Sequence, residues 1–417
     1  MIQDFEIPSF TTGQLSDLHQ RIDSSIQPHE FTSQKGDDWQ YGTPWKALEP
    51  LVTEWRDSYD WEEARAELNQ WHHYKYTTKQ GMKVHFVHEV SKDPDAIPLI
   101  LCHGWPSTFY EFHKVINPLR DGKLGAQAYH VIVPSLPGYG FSDPPTAPGF
   151  GTTKIGDVFN ELMLELGYSK YVAHGTDWGS VVCRSMASKH DKHCSAVHVT
   201  LFVCAPPLPT LNNLWQHPTK VAKFLLAAKV LGFDTVYGQG KLKSMGQNFV
   251  DANNNPDAGY RAIQGTRPYS LAYGLTDSPT ALLGWMLEKY HFWTHHEGDE
   301  AQVAALPSTI TVKEVLTQVS IYWLTNTMSS SIRLYYEFLQ QTKTMKTGMT
   351  DYIHIPLGIS TFKNELSRVP KDWIETAGNL KFFNEHPLGG HFSALEVPEL
   401  LVADLRSFGK EAAIVFE

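Results

Sequence analysis

Residues 171–180 leave the chain least freedom. A short apolar run enters Gly175-Thr176-Asp177-Trp178-Gly179, and a helical pattern starts at Ser180. Glycines at both ends of the five allow a sharp strand-to-helix turn. The middle residue is then forced into a strained position, exposed at the carboxyl end of the strand. Such a turn needs a parallel sheet around it, and the neighbouring sequence predicts one. Residues 98–102, 130–134, 171–174 and 197–204 are continuous apolar runs of the kind buried on both faces. Helical patterns at 153–166 and 180–189 lie between them, so the expected class is α/β with a mostly parallel sheet wrapped by helices.

The alternation stops near residue 206. Patterns at 220–233, 258–265, 279–293, 312–324 and 330–341 are helical, with a polar loop at 251–256. Strands resume at 352–360 and 380–384, and a last helix covers 398–408. The expected layout is an N-terminal meander (1–95), the first part of a core (96–205), a helical lid (206–345) and the second part of the core (346–417). The meander is polar and carries Trp39, Trp45, Trp55, Trp61 and Trp71, with no strand–helix alternation. It closes in a hairpin, 71–78 and 83–90, around a turn at 79–81. A length of 417 residues exceeds the usual single domain and suits a core with appended pieces.

The identity of the middle residue limits the chemistry. A serine that attacked an alkyl carbon would leave an ether, which water cannot reopen by acyl chemistry. A carboxylate leaves an ester, whose hydrolysis regenerates the aspartate. Asp177 therefore points to substitution at carbon and away from ester or amide cleavage. Taken alone, an Asp before a helix is as readily an N-cap. Two further turns favour the chemical reading. His103-Gly104-Trp105-Pro106 follows the 98–102 run, and Ser135-Leu136-Pro137-Gly138-Tyr139-Gly140 follows the 130–134 run. The first offers the amide of Trp105, and the turn itself that of Trp178, as donors to an oxyanion. Near the C-terminus, His391 follows Gly389-Gly390 between the last strand and the last helix, where an imidazole can act as a base on water. An acid must orient that imidazole. Glu365 lies nearest the end of the 352–360 strand, with Asp372 and Glu375 as competitors. The pairs His72–His73 and His295–His296 lack a third ligand at a metal-binding spacing and are expected at the surface.

Composition excludes partners more than it names them. A formal charge of −10 without any Lys/Arg run argues against nucleic acid and anionic membrane surfaces. Cys102, Cys183, Cys194 and Cys204 show no C-x-x-C spacing. Residues 1–10 lack a basic stretch followed by an apolar one, and the apolar stretch 221–233 is broken by Lys223 and Lys229. The expectation is a cytoplasmic protein with no signal peptide and no integral membrane anchor. Aromatic residues make up 12% of the chain, enough to fill a core and line an apolar pocket as well.

Together these motifs resemble the α/β-hydrolases and, within them, the microsomal-type epoxide hydrolases, the group that includes soluble fungal and insect juvenile hormone epoxide hydrolases. The likeness spans nearly the whole chain. It rests on Trp39-Gln40-Tyr41-Gly42-Thr43 and Tyr59-Asp60-Trp61, on His103-Gly104-Trp105-Pro106, and on Pro387 to Phe392 with Leu395-Glu396 and Pro398-Glu399. It implies a hydrolase that opens an epoxide with water to a vicinal diol through an Asp177 ester, with Glu365 as the acid. It also implies two lid tyrosines that donate to the epoxide oxygen. One maps to Tyr260 in Ala258-Gly259-Tyr260-Arg261, the other to Tyr335 in Ser331-Ile332-Arg333-Leu334-Tyr335-Tyr336-Glu337. Tyr336 would point ~100° away on a helix. Two departures stand beside the machinery: Thr176 and Ser107 occupy positions where glycine is usual. No metal or organic cofactor is implied. The partners expected are a small hydrophobic epoxide and water, with a homodimer through the lid. Aromatic, terpenoid and lipid epoxides, met in detoxification or in biosynthesis, all fit.

Two other readings share parts of this pattern. A haloalkane dehalogenase also uses an Asp followed by Trp, but holds its leaving halide with indole or amide N–H groups, not a tyrosine pair. A non-catalytic binder of a hydrophobic ligand predicts a damaged triad, and here all three members are present.

Overall fold

The computed structural model describes residues 1–31, 39–122, 126–243, 258–344 and 351–413. The polar loop expected at 251–256 lies outside the described residues. Among the described residues nine strands form one sheet: β1 Ile2–Phe5, β2 His73–Thr77, β3 Lys83–Glu89, β4 Ile97–Cys102, β5 Tyr129–Pro134, β6 Tyr171–Gly175, β7 Cys194–Val199, β8 Ile353–Thr361 and β9 Gly378–Glu385. Their order is β1-β2-β3-β5-β4-β6-β7-β8-β9. The first three are antiparallel, and β3 joins β5 antiparallel. From β5 to β9 every pairing is parallel. The protein is thus α/β with a mostly parallel sheet.

The apolar runs form strands because both faces are covered. Alternate residues of β4 enter different cores. Leu99 and Leu101 pack with Phe112, Val115, Leu401 and Phe408. Ile100 and Cys102 pack with Phe159, Val182 and Met186. Helices His113–Asp121 and Pro398–Ala413 pack against each other, as do Thr152–Glu165 and Asp177–Lys189. Between β7 and β8 the chain leaves the sheet for a set of helices, among them Gly259–Thr266, Pro268–Asp277, Pro279–Trp293, Val312–Thr325 and Met328–Thr344. Their limits follow local chemistry. Ser278 caps Pro279–Trp293 by accepting from Ala281 N, with Pro at the first helical position. Thr311 and Glu314 form a capping box on Val312–Thr325, which ends at Asn326 in the left-handed region.

Three expectations need correction. The N-terminal segment holds regular structure: β1 and helices Thr12–Asp23, Trp45–Asp57 and Trp61–Leu68. A four-residue strand is too short to show alternation, but the helices carried caps at Thr11 and Asp60. The strand expected at 197–204 runs from Cys194 to Val199 instead. Its ladder ends where β6 ends, at Gly175 opposite Val199, and Leu201 and Phe202 are buried beyond it without strand pairing. His73 is buried, not at the surface: its Nδ1 lies 2.9 Å from His85 Nε2 and its Nε2 2.8 Å from Leu68 O. Its ring stacks on His85 and meets Phe109 edge-on, which covers it. The His296 side chain is also largely covered.

The N-terminal tryptophans fasten this segment to the inserted helices. Trp55 donates to Ser320 Oγ at 2.9 Å, and Trp39 stacks on His291 with centroids 3.7 Å apart. Thr43 Oγ1 donates to Gly284 O at 2.8 Å. No helix among the described residues is long and apolar enough to cross a membrane.

Candidate active site

The chain enters the helix Asp177–Lys189 at Asp177 itself, whose φ of 42° lies in the left-handed region. A non-glycine residue there costs roughly 1–2 kcal/mol and is kept only where surroundings enforce it. The enforcement is contact. A Cβ on Gly179 would sit 1.8 Å from Cys102 O, so the helix Asp177–Lys189 is pressed against the end of β4. A Cβ on Gly104 would sit 2.3 Å from Asp177 Oδ1, so the loop after β4 passes directly over the carboxylate. That loop donates: Trp105 N lies 2.8 Å from Asp177 Oδ1.

The other carboxylate oxygen faces the imidazole. His391 Nε2 is 3.2 Å from Asp177 Oδ2, and His391 Nδ1 is 2.5 Å from Glu365 Oε1. Glu365 also accepts from Leu366 N at 2.7 Å. Glu365 sits in the loop after β8, and His391 in the loop after β9. Both are fully buried. The competing acids are engaged elsewhere, Asp372 with Lys223 and Glu375 with Lys220, each at 2.6 Å. Burial alone would strip His391 of its proton. The Glu365 and Asp177 carboxylates outweigh it and hold the imidazolium well above its ordinary 6.5.

The loop carrying His391 is fixed to the inserted helices. His391 N donates to Trp293 O at 2.8 Å. Buried Glu396 accepts from Gly390 N and Phe392 N on one oxygen and from His295 N on the other. Burial pushes its carboxyl up to about 7, against those donors. Asn364, beside Glu365, donates to Thr294 O at 2.6 Å. Sequence reasoning quoted Glu396 as part of a motif without giving it work. An acid two residues before a proline carries no signal for clamping amides.

The roof is aromatic. Tyr260 comes from Gly259–Thr266 and Tyr335 from Met328–Thr344. Their rings are 5.7 Å apart at 78°. Trp105 stacks on Tyr260 and meets Tyr335 edge-on. Trp178 meets Tyr335 edge-on at 4.8 Å, and Trp293 lies 5.3 Å from Tyr260 and 5.1 Å from His391. Burial, with the Asp177 carboxylate adding to it, pushes both phenols far above their ordinary range, so both are neutral donors. Tyr336, by contrast, is 38% exposed. Trp293 was missed in the sequence because an aromatic in an apolar helix looks like ordinary core. Beneath the floor, Glu111 is buried and pushed up to about 7 by that burial, with Ser107 and Thr176 hydroxyls favouring its charge.

The chemistry available is therefore defined. A carboxylate has one oxygen on an amide donor and the other beside an imidazolium, and two neutral phenols share the space above. Comparison with known proteins bears on this arrangement. The family described as "Epoxide hydrolase N terminus" matches residues 2–112, and that described as "alpha/beta hydrolase fold" matches residues 97–254. Epoxide hydrolase 1 of Sus scrofa is 31% identical over 98% of this chain and 88% of its own length. The structure of Aspergillus niger epoxide hydrolase superposes with a TM-score of 0.78 at 30% identity, covering 99% of this chain and 97% of that one. The juvenile hormone epoxide hydrolase of the silkworm Bombyx mori superposes with a TM-score of 0.80 at 27% identity, covering 100% and 95%.

Proposed function

The chain belongs to the epoxide hydrolase family, and on that premise we propose how its residues convert an epoxide and water into a vicinal diol. The Asp177 oxygen facing His391 attacks the less hindered epoxide carbon. The ring C–O bond breaks and its electron pair stays on oxygen, which is held by the hydroxyls of Tyr260 and Tyr335. Esterification cancels the charge of Asp177. One of the two carboxylates that keep His391 protonated is thereby lost. The imidazolium gives up a proton, matching the one the alkoxide takes, and becomes a free base. It then removes a proton from water as the water oxygen attacks the ester carbonyl. The oxyanion forms against the amides of Trp105 and Trp178. Collapse releases the diol and restores the Asp177–imidazolium pair. Glu365 keeps the imidazole oriented throughout.

The observation that carries this reading is the position of Asp177, with Trp105 N 2.8 Å from one oxygen and His391 3.2 Å from the other. The test is a single turnover in ¹⁸O-water. The first diol should carry an unlabelled oxygen from Asp177, with label appearing in the protein. Solvent label in that first diol means direct hydration and sinks the ester. The aromatic roof supports a small hydrophobic epoxide as substrate. The four free cysteines support the cytoplasm, to be checked by fractionation. A homodimer through the lid is part of the same proposal, supported by resemblance and checked by sedimentation.

A further inference from the structure

One side of the aromatic roof holds a buried cation. Lys289, on Pro279–Trp293 one turn before Trp293, is 3% exposed. Its Nζ lies 4.5 Å from the centroid of the Tyr260 ring, 5.3 Å from that of Trp285 and 5.7 Å from that of Trp293. Glu288 pairs with it from a more exposed side chain, beside Gly42 of the N-terminal segment. The buried Arg261 guanidinium lies 5.6 Å from the same Tyr260 ring. Burying an ammonium costs several kcal/mol even when it is paired. An ion pair with Glu288 could form at the surface without that cost. What burial adds includes the faces of three rings, of which Tyr260 is the nearest.

We infer that Lys289 is a positioning residue for epoxide opening, which stabilises the negative charge that Tyr260 shares as the ring oxygen leaves. As the C–O bond breaks, charge grows on the oxygen and spreads through its hydrogen bond into the phenol. A phenol taking on negative charge delocalises it over the ring. A cation above that ring is then worth more than in the resting state, and more in a dry site than in water. Lys289 keeps its proton and forms no bond. Its contribution is confined to ring opening, because ester hydrolysis places its charge at the Trp105 and Trp178 amides. The inference rests on the reading that Tyr260 donates to the epoxide oxygen.

The experiment is a stopped-flow single turnover that resolves ester formation from ester hydrolysis. Lys289→Met keeps length and removes charge. It should slow ester formation about thirtyfold, the size of a desolvated cation–π contact, and leave hydrolysis unchanged. Lys289→Arg should retain most of the rate. Placing 3,5-difluorotyrosine, a more acidic phenol, at position 260 should rescue ester formation in the Lys289→Met protein by more than it speeds the native protein, whereas a purely packing lysine would give equal gains. Native ester formation in Lys289→Met, or equal gains from the fluorinated residue, overturns the inference. Tyr260→Phe runs beside it: native ester formation there overturns the reading of Tyr260 itself. If Lys289→Met does not fold, Glu288→Gln carries the test. It leaves the ammonium less neutralised and should speed ester formation; an unchanged or slower rate overturns the inference.

Discussion

The floor and the roof of the site are built on different physics. The floor consists of four loops at the carboxyl ends of β4, β6, β8 and β9, joined by short polar contacts: Trp105 N to Asp177 at 2.8 Å, Asp177 to His391 at 3.2 Å and His391 to Glu365 at 2.5 Å. Its geometry is enforced by backbone close approach, at Gly104 and Gly179, around a residue with a φ of 42°. The roof consists of rings from the inserted helices, Tyr260, Tyr335 and Trp293, meeting the floor's Trp105 and Trp178 mostly edge-on or tilted. Polar contacts fix distance and direction together. Ring contacts leave the roof adjustable. A floor of the first kind suits chemistry shared by all substrates, and a roof of the second kind suits the fit of one epoxide.

If that division holds, damage to the floor should stop turnover and damage to the roof should slow one step. Asp177→Ala should lower turnover by at least ~10⁴-fold. His391→Gln should still form the ester but hydrolyse it about 10³-fold more slowly. Intact-mass measurement after mixing with substrate should then show the protein plus one epoxide. Normal multiple turnover in His391→Gln would break the assignment.

In the roof, Tyr260→Phe and Tyr335→Phe should each slow ester formation by about 10²-fold, the scale of losing one oxyanion donor, with ester hydrolysis unchanged. Tyr336→Phe is the control on the same helix and should behave like the native protein. Equal losses at 335 and 336 would mean that the effect comes from the helix and not the hydroxyl. Glu396→Gln replaces one acceptor oxygen of the clamp with a donor. It should cost about 1–3 kcal/mol of stability, read from chemical denaturation, and slow ester hydrolysis more than ester formation.

A measurement on the whole fold, not on turnover, separates the halves by acid. Burial holds His103 and His88 down at about 4 and His174 down at about 3, and it pushes His85 and His198 well below their ordinary value. All five lie in or beside β3, β4, β6 and β7. Unfolded histidine takes up a proton near 6.5, so these groups leave the native state unfavoured as pH falls. Their stabilising contribution is complete above 6.5 and is lost toward 4, with a slope of ~1.4 kcal/mol per pH unit for each group. Melting temperature should therefore drop from pH 6.5 to 5, before most carboxylates titrate. A flat melting temperature across that window would count against buried neutral histidines in the sheet.

Floor and roof also differed in legibility. The β4, β5 and β6 runs were continuous and apolar because both faces are buried, and each ended in a turn whose glycines marked it. The spacing of Asp177, Glu365 and His391 along the chain follows from strand order, so residue type plus position was enough to nominate them. Tyr260 and Tyr335 were two of 18 tyrosines, and only family resemblance singled them out. Lys289 and Trp293 were not legible at all, because a buried helix shows its apolar face and hides which ring lies against which cation. The N-terminal helices were missed for a related reason: Trp55 buries against the inserted helices, a surface remote in sequence.

The tie between Trp293 and His391 matters for protein engineering. The inserted helices look like a removable module, the obvious unit to exchange between relatives when a different epoxide is to be accepted. Yet residues 293–296 hold the amide of His391, one oxygen of Glu396 and the side chain of Asn364. A transplant cut at β7 and β8 would carry away half of the mounting of His391. A workable chimera has to move 293–296 together with the loops at 364–366 and 389–396, so that substrate range and turnover are exchanged as one block.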